Sequence, residues 1–151
     1  MINKKYIILE IIPSAVDPKK GEVIQLSALK LNGIKLENRF DYRLEENKIN
    51  NMDLLNIIQY DKDMFNYVDT TRKIMVKFKK WIEDYDLLIM DNLYTENYLK
   101  NIKNKKESIF NYLNMVYTDD VIDKIIEKYN LQPSNHIVDL LYEAIINESN
   151  N

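Results

Sequence analysis

The dipeptide Asn32-Gly33, with a β-type run on each side, is the feature that most constrains how this chain can fold. A two-residue turn between antiparallel strands needs positive φ angles, which Asn and Gly adopt at the lowest steric cost. The run before it, 22–31, places apolar side chains at alternate positions, as a strand with one buried face does. The sequence therefore predicts a β-hairpin with a type I′ turn and strands over 22–31 and 34–43.

A third strand is predicted ahead of this hairpin. Residues 5–12 form an apolar run that ends at Pro13, which is typical of a buried strand. The segment from Asp17 to Gly21 contains Pro and Gly and predicts a turn, in which Gly21 would permit a positive φ. The chain is therefore expected to open with a three-stranded antiparallel meander.

The remainder of the chain is predicted to be mostly helical, with one more strand. Asp69-Thr70-Thr71 is a favourable helix start, and an apolar stripe with helical spacing follows it. A short buried strand is expected at 87–90, and two further apolar stripes predict helices over 121–129 and 137–145. The order β-β-β-α-β-α-α-α indicates an α/β domain with a mixed sheet. The domain is expected to cover 1–147, with 148–151 as a short disordered tail.

Composition excludes several classes of site. The 151 residues suit one domain, and the absence of cysteine excludes disulfides, thiolate metal sites and a cysteine nucleophile. With only two glycines, the chain has no phosphate-binding loop of the P-loop or Rossmann type. A net charge of −3 argues against coating nucleic acid by charge alone. No apolar run reaches about 18 residues, so no membrane partner is expected and the cytoplasm is the expected compartment.

Four segments resemble motifs of the DEDDh group of 3′–5′ exonucleases, and together they span nearly the whole chain. The segment 7–18 is similar to the first motif and 22–31 to the second strand, while 78–92 and 131–145 resemble the later helix–strand and helix segments. The resemblance implies an RNase H-like exonuclease fold, with helices flanking the sheet. It also implies phosphodiester hydrolysis by two divalent metal ions, which four acids hold beside a histidine base.

In this chain the resemblance places apolar residues at two of the four acidic positions. The positions of the four acids and the base fall, in chain order, on Glu10, Ile12, near Glu96, His136 (the base) and Leu141. Strand side chains alternate, so Glu10 and Ile12 should share one face. Asp139 and Glu143 cannot replace Leu141, because each is rotated from it by roughly 200° around a helix. No cofactor is expected; Mg²⁺ or Mn²⁺ at Glu10 and Glu96 is expected only if the site is active.

The retained polar residues also have structural explanations. Glu10 is either a binding residue or a remnant near the end of its strand, and Glu96 is either the third acid or a surface acid. The only histidine, His136, is either functional or a helix cap or surface residue. Two groups of lysines could contact nucleic acid, although such runs are usually solvated faces. These groups are Lys73, Lys77 and Lys80, and a cluster that includes Lys100 and Lys103.

The sequence favours a catalytically inactive exonuclease-like domain, a pseudo-exonuclease that acts by binding. It would serve as a protein-interaction or regulatory module, with a protein partner whose identity stays open. Whether the chain is an enzyme also stays open. The sequence favours a protein that is not an enzyme, because Ile12 and Leu141 cannot ligate metal. One alternative is a divergent metal-dependent 3′–5′ exonuclease on DNA or RNA. The other is a nucleic-acid-binding module without catalysis.

Overall fold

The computed structural model describes residues 2–44, 67–134 and 136–150. Within these ranges the chain forms strands and helices in the order β-β-β-β-α-β-α-β-α-α-α. The strands are β1 (Lys5–Pro13), β2 (Val23–Asn32), β3 (Lys35–Leu44), β4 (Tyr67–Asp69), β5 (Asp86–Ile89) and β6 (Lys106–Ser108). The helices are α1 (Thr71–Trp81), α2 (Leu93–Tyr98), α3 (Ile109–Leu113), α4 (Val121–Tyr129) and α5 (Ile137–Ser149).

The strands form one mixed sheet in the order β4-β3-β2-β1-β5-β6. Strands β1, β2 and β3 pair antiparallel as the predicted meander, and β5 joins β1 in parallel. The two edge strands, β4 and β6, were not expected from the sequence. Each has only three residues and pairs in parallel with a strand distant in the chain, so neither produces a local pattern.

The hairpin is present, but its turn lies one residue later than predicted. Strand β2 includes Asn32, which pairs with Lys35, so Gly33 and Ile34 are the two turn residues. Gly33 has a φ of 62°, and neither Asn32 nor Ile34 has a positive φ. A positive φ at the first central residue alone is the type II′ pattern, and the prediction of a type I′ turn was therefore wrong.

The turn between β1 and β2 needs Gly21 for a reason other than φ. Gly21 does not adopt a positive φ, contrary to the prediction. Its backbone instead lies so close to α2 that an added Cβ would sit 2.4 Å from the Tyr98 hydroxyl. That hydroxyl donates to the carbonyl of Ala15 at 3.0 Å. Gly21 thus allows α2 to approach the end of β1.

Each face of the sheet packs against its own group of helices. Ile7, Leu9 and Ile11 of β1 lie in a core with Ile74 and Phe78 of α1. Tyr6 and Ile8 lie in a second core on the opposite face, with residues of α3, α4 and α5. Alternation along β1 therefore directs Glu10 and Ile12 to the α5 side.

Helix α5 is longer than the sequence predicted. It continues through Ser149, two residues past the expected end of the domain at 147. The side chain of Glu148 accepts a hydrogen bond from the Tyr129 hydroxyl and pairs with Lys128 at 3.3 Å, which holds the last turn against α4. Among the helices of the described ranges, none is long and apolar enough to cross a membrane.

Candidate functional site

A cleft of about 560 Å³ opens where the end of β1 meets the beginnings of α2, α4 and α5. Carboxylates, tyrosines and aliphatic side chains line it together. The lining residues are Glu10, Ile12, Met90, Tyr94, Tyr117, Asp119, Asp120, Val121, Ile122, Asp123, Ile126, Pro133, Ser134 and Ile137. Glu10 and Ile12 thus face the same space, as the strand alternation predicts.

Glu10 is a carboxyl group in a weakly solvated place. Burial raises the pKa of Glu10 to about 8, and the charge of His136 and a hydrogen bond with Gln25 offset this only in part. The group is therefore largely protonated at neutral pH. A protonated carboxylic acid is a poor ligand for a hard cation, since metal ligands must be deprotonated.

His136 lies at the start of α5, inside a network of charged side chains. Its Nε2 is 3.2 Å from Asp41 Oδ1 and 3.2 Å from Ser27 Oγ. Its Nδ1 is 3.1 Å from Asp139 Oδ2, and the guanidinium of Arg39 donates to both aspartates. His136 stands at the N-cap position of α5, as one of the predicted alternatives has it, but its side chain makes no cap hydrogen bond and is only 8% exposed, so it is not a surface residue.

The carboxylates on both sides of the ring favour the protonated form of this histidine. Each ring nitrogen faces a carboxylate oxygen, which can only accept, although the Arg39 guanidinium also lies 3.3 Å from Nδ1. Burial lowers the pKa of His136, but the bonds to Asp139 and Asp41 outweigh it and raise the pKa to about 9. Burial alone would raise the pKa of each aspartate, yet the bonds from His136 hold both below their usual range. Two cations and two anions therefore balance within this cluster.

The distances among Ser27, His136 and Asp139 are close to those of a nucleophilic triad, but the environment excludes that chemistry. Ser27 is 3% exposed, so a substrate carbonyl cannot reach its hydroxyl. The same hydroxyl donates to Asp41 at 2.5 Å, which directs its proton away from the imidazole. An imidazolium also has no lone pair with which to accept that proton.

The other predicted site residues are dispersed. Leu141 is fully buried in the core on the α5 side, among aliphatic side chains. Glu96 is exposed on α2 and is not among the residues that line the cleft; Tyr94, two residues earlier on the same helix, lines it instead. Asn92 caps α2 through a bond from the Thr95 amide at 3.0 Å.

Several residues of the site carry no local sequence signal. Glu10, Ser27 and Asp41 are directly opposite one another across β1, β2 and β3, so they form one row on one face. The correct strand register would have revealed this row. The hairpin turn between β2 and β3 was predicted one residue too early, however, and so gave the wrong register. Asp119, Asp120 and Asp123 lie around the start of α4, where acids usually stabilise a helix.

Solved structures of 3′-exonucleases have the same fold as this chain. Exonuclease X in complex with 5′ overhanging duplex DNA matches with a TM-score of 0.59 and 10% identity, over 96% of this chain and 93% of that one. A 3′-exonuclease described as recognising the 3′ end of a histone mRNA stem-loop matches with a TM-score of 0.61 and 16% identity, over 99% and 82%. The chain has an exonuclease fold. No family model matches it, and no curated protein does.

The residues present do not fit the two metal ions that this fold implies. Two hard cations need several ionised oxygens around them. Of the expected positions, Glu10 is largely protonated, Ile12 and Leu141 are hydrocarbons, and Glu96 does not line the cleft. Across 2–44, 67–134 and 136–150, no three His, Asp or Glu side chains are grouped so that they could hold a metal.

The predicted lysines lie away from the cleft. Lys73, Lys77 and Lys80 are exposed on α1, which packs on the opposite face of the sheet. Lys77 pairs with Asp69 at 2.7 Å and lies over the ring of Tyr42. Lys100 and Lys103 are exposed just beyond α2. None of the five lines the cleft.

Proposed function

We propose that this chain is an exonuclease-fold domain without catalytic activity, which acts by binding as a protein-interaction or regulatory module. The observation that carries the proposal is the state of His136, its only histidine. The residue that the resemblance assigns as general base is a buried imidazolium held between Asp41 and Asp139.

A general base must be unprotonated and within reach of a water or substrate proton. His136 meets neither requirement. Its pKa of about 9 keeps it protonated at neutral pH, and it is buried and bonded to two carboxylates rather than accessible to a substrate. Moving the imidazolium away would leave Arg39 to balance both Asp41, which is buried, and Asp139, and this loss of charge pairing is costly. The network therefore supports a structural role for this histidine.

The carboxylate positions support the same conclusion independently. Leu141 is part of the core that joins α5 to β1, and Ile12 places a branched hydrocarbon beside Glu10 in the cleft. Neither side chain can hold a cation. Phosphodiester hydrolysis by two metals would need several acids grouped around each ion, and the part of the chain that the structure describes contains no such group.

A nuclease assay tests the proposal. The wild-type chain and the Glu10→Gln variant are incubated with 5′-labelled single-stranded DNA and RNA in millimolar Mg²⁺ or Mn²⁺. The proposal predicts no shortening of either strand by either protein. Shortening by the wild type that Glu10→Gln abolishes would overturn the proposal and favour a divergent exonuclease.

Binding of nucleic acid without catalysis is a second candidate, and the charge of α1 favours it. The helix has five basic side chains and no acidic one: Arg72, Lys73, Lys77, Lys79 and Lys80. Such a surface should bind single strands in a salt-dependent way. The double variant Lys73→Glu/Lys80→Glu should abolish that binding in a filter assay, and unchanged binding would reject this surface.

A further inference from the structure

The turn between β2 and β3 contains Asn32-Gly33, the only Asn-Gly pair in the chain, and the side chain of Asn32 is exposed. The side-chain amide of an asparagine can react with the backbone nitrogen of the next residue. That nitrogen is most accessible when the next residue is glycine, which has no Cβ to obstruct the approach. Asn32 is therefore the residue of this chain that is chemically most disposed to lose its amide.

The reaction is a ring closure followed by hydrolysis. The Gly33 nitrogen forms a bond to Cγ of Asn32 while the bond from Cγ to the side-chain nitrogen breaks. Ammonia leaves with the proton that the Gly33 amide gives up, and a cyclic imide remains. Water then opens the ring, giving aspartate by attack at Cγ or isoaspartate by attack at the main-chain carbonyl. No oxidant or reductant takes part.

The hydrogen bonds of the turn oppose this reaction in the folded chain. The Gly33 N–H donates to the Lys4 carbonyl at 3.0 Å, and the Gly33 carbonyl accepts from the hydroxyl of the fully buried Tyr6 at 2.7 Å. The next carbonyl, that of Ile34, accepts from the Tyr142 hydroxyl at 2.8 Å. A backbone N–H that is bonded in this way becomes available only when the structure opens locally, as in amide hydrogen exchange. The fold therefore keeps the Gly33 nitrogen occupied.

The two products differ in how well the folded sheet accepts them. Asn32 lies directly opposite Lys5 of β1 and Lys35 of β3, and both lysines are exposed. A carboxylate at this position therefore meets a lysine on each side, and opposite charges across neighbouring strands are favourable. Isoaspartate instead adds a methylene carbon to the main chain just before Gly33, which displaces the Gly33 amide from the Lys4 carbonyl.

We propose that Asn32 is a site of spontaneous deamidation that the hydrogen-bonded turn suppresses, so that the modification marks chains in which this end of the sheet has opened. The proposal is independent of the proposed function, because no residue of the cleft or of the His136 network takes part in it.

Peptide mapping of chains aged at mildly alkaline pH tests the proposal. Trypsin releases residues 31–35 as a peptide in which Asn32 is the only amide side chain, so mass spectrometry follows its conversion directly. The native chain should deamidate at least about tenfold more slowly than the same chain in guanidinium chloride, as expected of a reaction that requires local opening. Equal rates in the two states, or no deamidation in the denaturant, would overturn the proposal.

Tyrosine variants identify the hydrogen bonds that protect the site. Tyr6→Phe should accelerate deamidation of the native chain about fivefold, the change in opening that the loss of one hydrogen bond produces. If that variant does not fold, Tyr142→Phe removes the exposed bond to Ile34 and should act in the same direction. Tyr129→Phe is the matched control, since that hydroxyl bonds to Glu148 between α4 and α5. Equal acceleration by the control would assign the protection to global stability and overturn the role of the turn.

The Asn32→Asp variant tests how the folded chain accepts the aspartate product. Its thermal midpoint at low salt should be higher than that of the wild type, and the difference should disappear in a Lys5→Gln/Lys35→Gln background. A midpoint no higher than that of the wild type would overturn the pairing of the new carboxylate with the two lysines.

Discussion

Replacing Glu10 by glutamine should stabilise the protein, and the gain should depend on pH. In the folded chain burial holds the pKa of Glu10 at about 8, against 4.5 for the ordinary carboxyl group. The folded-state pKa is raised, so its contribution to stability is fully present below pH 4.5 and is lost as pH rises through 8. Glutamine keeps the shape and hydrogen bonding of the neutral acid but cannot ionise.

The size of the gain follows from linkage. Between pH 4.5 and 8 the free energy of unfolding of the wild type falls by about 1.4 kcal/mol for each pH unit. The gain from Glu10→Gln at neutral pH therefore has an upper value of about 3 kcal/mol. Because Glu10 is only partly buried, solvent offsets some of this, and we expect about 2 kcal/mol. At pH 4 wild type and variant should have the same free energy of unfolding.

Urea denaturation at acidic and neutral pH measures this gain. Glu96→Gln is the matched control, because Glu96 is exposed on α2 and the same substitution there should change stability by less than about 0.5 kcal/mol. A Glu10→Gln variant that is less stable than wild type at neutral pH would refute the reasoning. An equal gain at both pH values would refute it too, since ionisation could not then be the cause.

Three further predictions concern the fold and the charged network. His136→Ala should cost about 3 kcal/mol at pH 6, because it leaves Arg39 alone to balance two aspartates, and less at pH 10, where wild-type His136 has lost its proton. Urea denaturation at both pH values checks this, and equal losses would contradict it. Thermal melting across pH should show greatest stability between about pH 4.5 and 6.5. Below this range Asp41 and Asp139, whose pKa values are lowered, become protonated. Above it His136 loses its proton and Glu10 becomes charged. A stability maximum above pH 8 would count against the account. Gly33→Ala should lower stability by about 1 kcal/mol in urea denaturation, because Gly33 has a φ of 62°, and an unchanged midpoint would contradict that reading of the turn.

Much of the fold could be predicted because its signals are local. Alternation along β1 separates the residues of the two cores, and the same alternation correctly brings Glu10 and Ile12 to one cleft. The stripe of Ile74 and Phe78 identified α1. The edge strands could not be predicted, because three residues of parallel pairing depend on partners far along the chain.

The charged network was beyond sequence reasoning for a similar reason. His136 contacts Asp41 only because α5 packs across β1 and β2, and neither residue has a neighbour in sequence that reports this. An isolated histidine at a helix start predicts a cap or a surface residue, and His136 is at the N-cap position, but nothing in the local pattern indicates that its side chain is buried. The Glu10–Ser27–Asp41 row becomes visible only when three strands are aligned in register.

The most direct test of the account is whether the cleft binds a divalent metal. Amide NMR spectra of the wild-type chain titrated with Mn²⁺ report any bound ion, because a paramagnetic ion broadens the signals of residues close to it. The account predicts no selective broadening around Glu10 and Ile12 at millimolar Mn²⁺. Selective broadening there, absent in Glu10→Gln, would show a retained metal site and contradict the proposal that this exonuclease fold no longer catalyses hydrolysis.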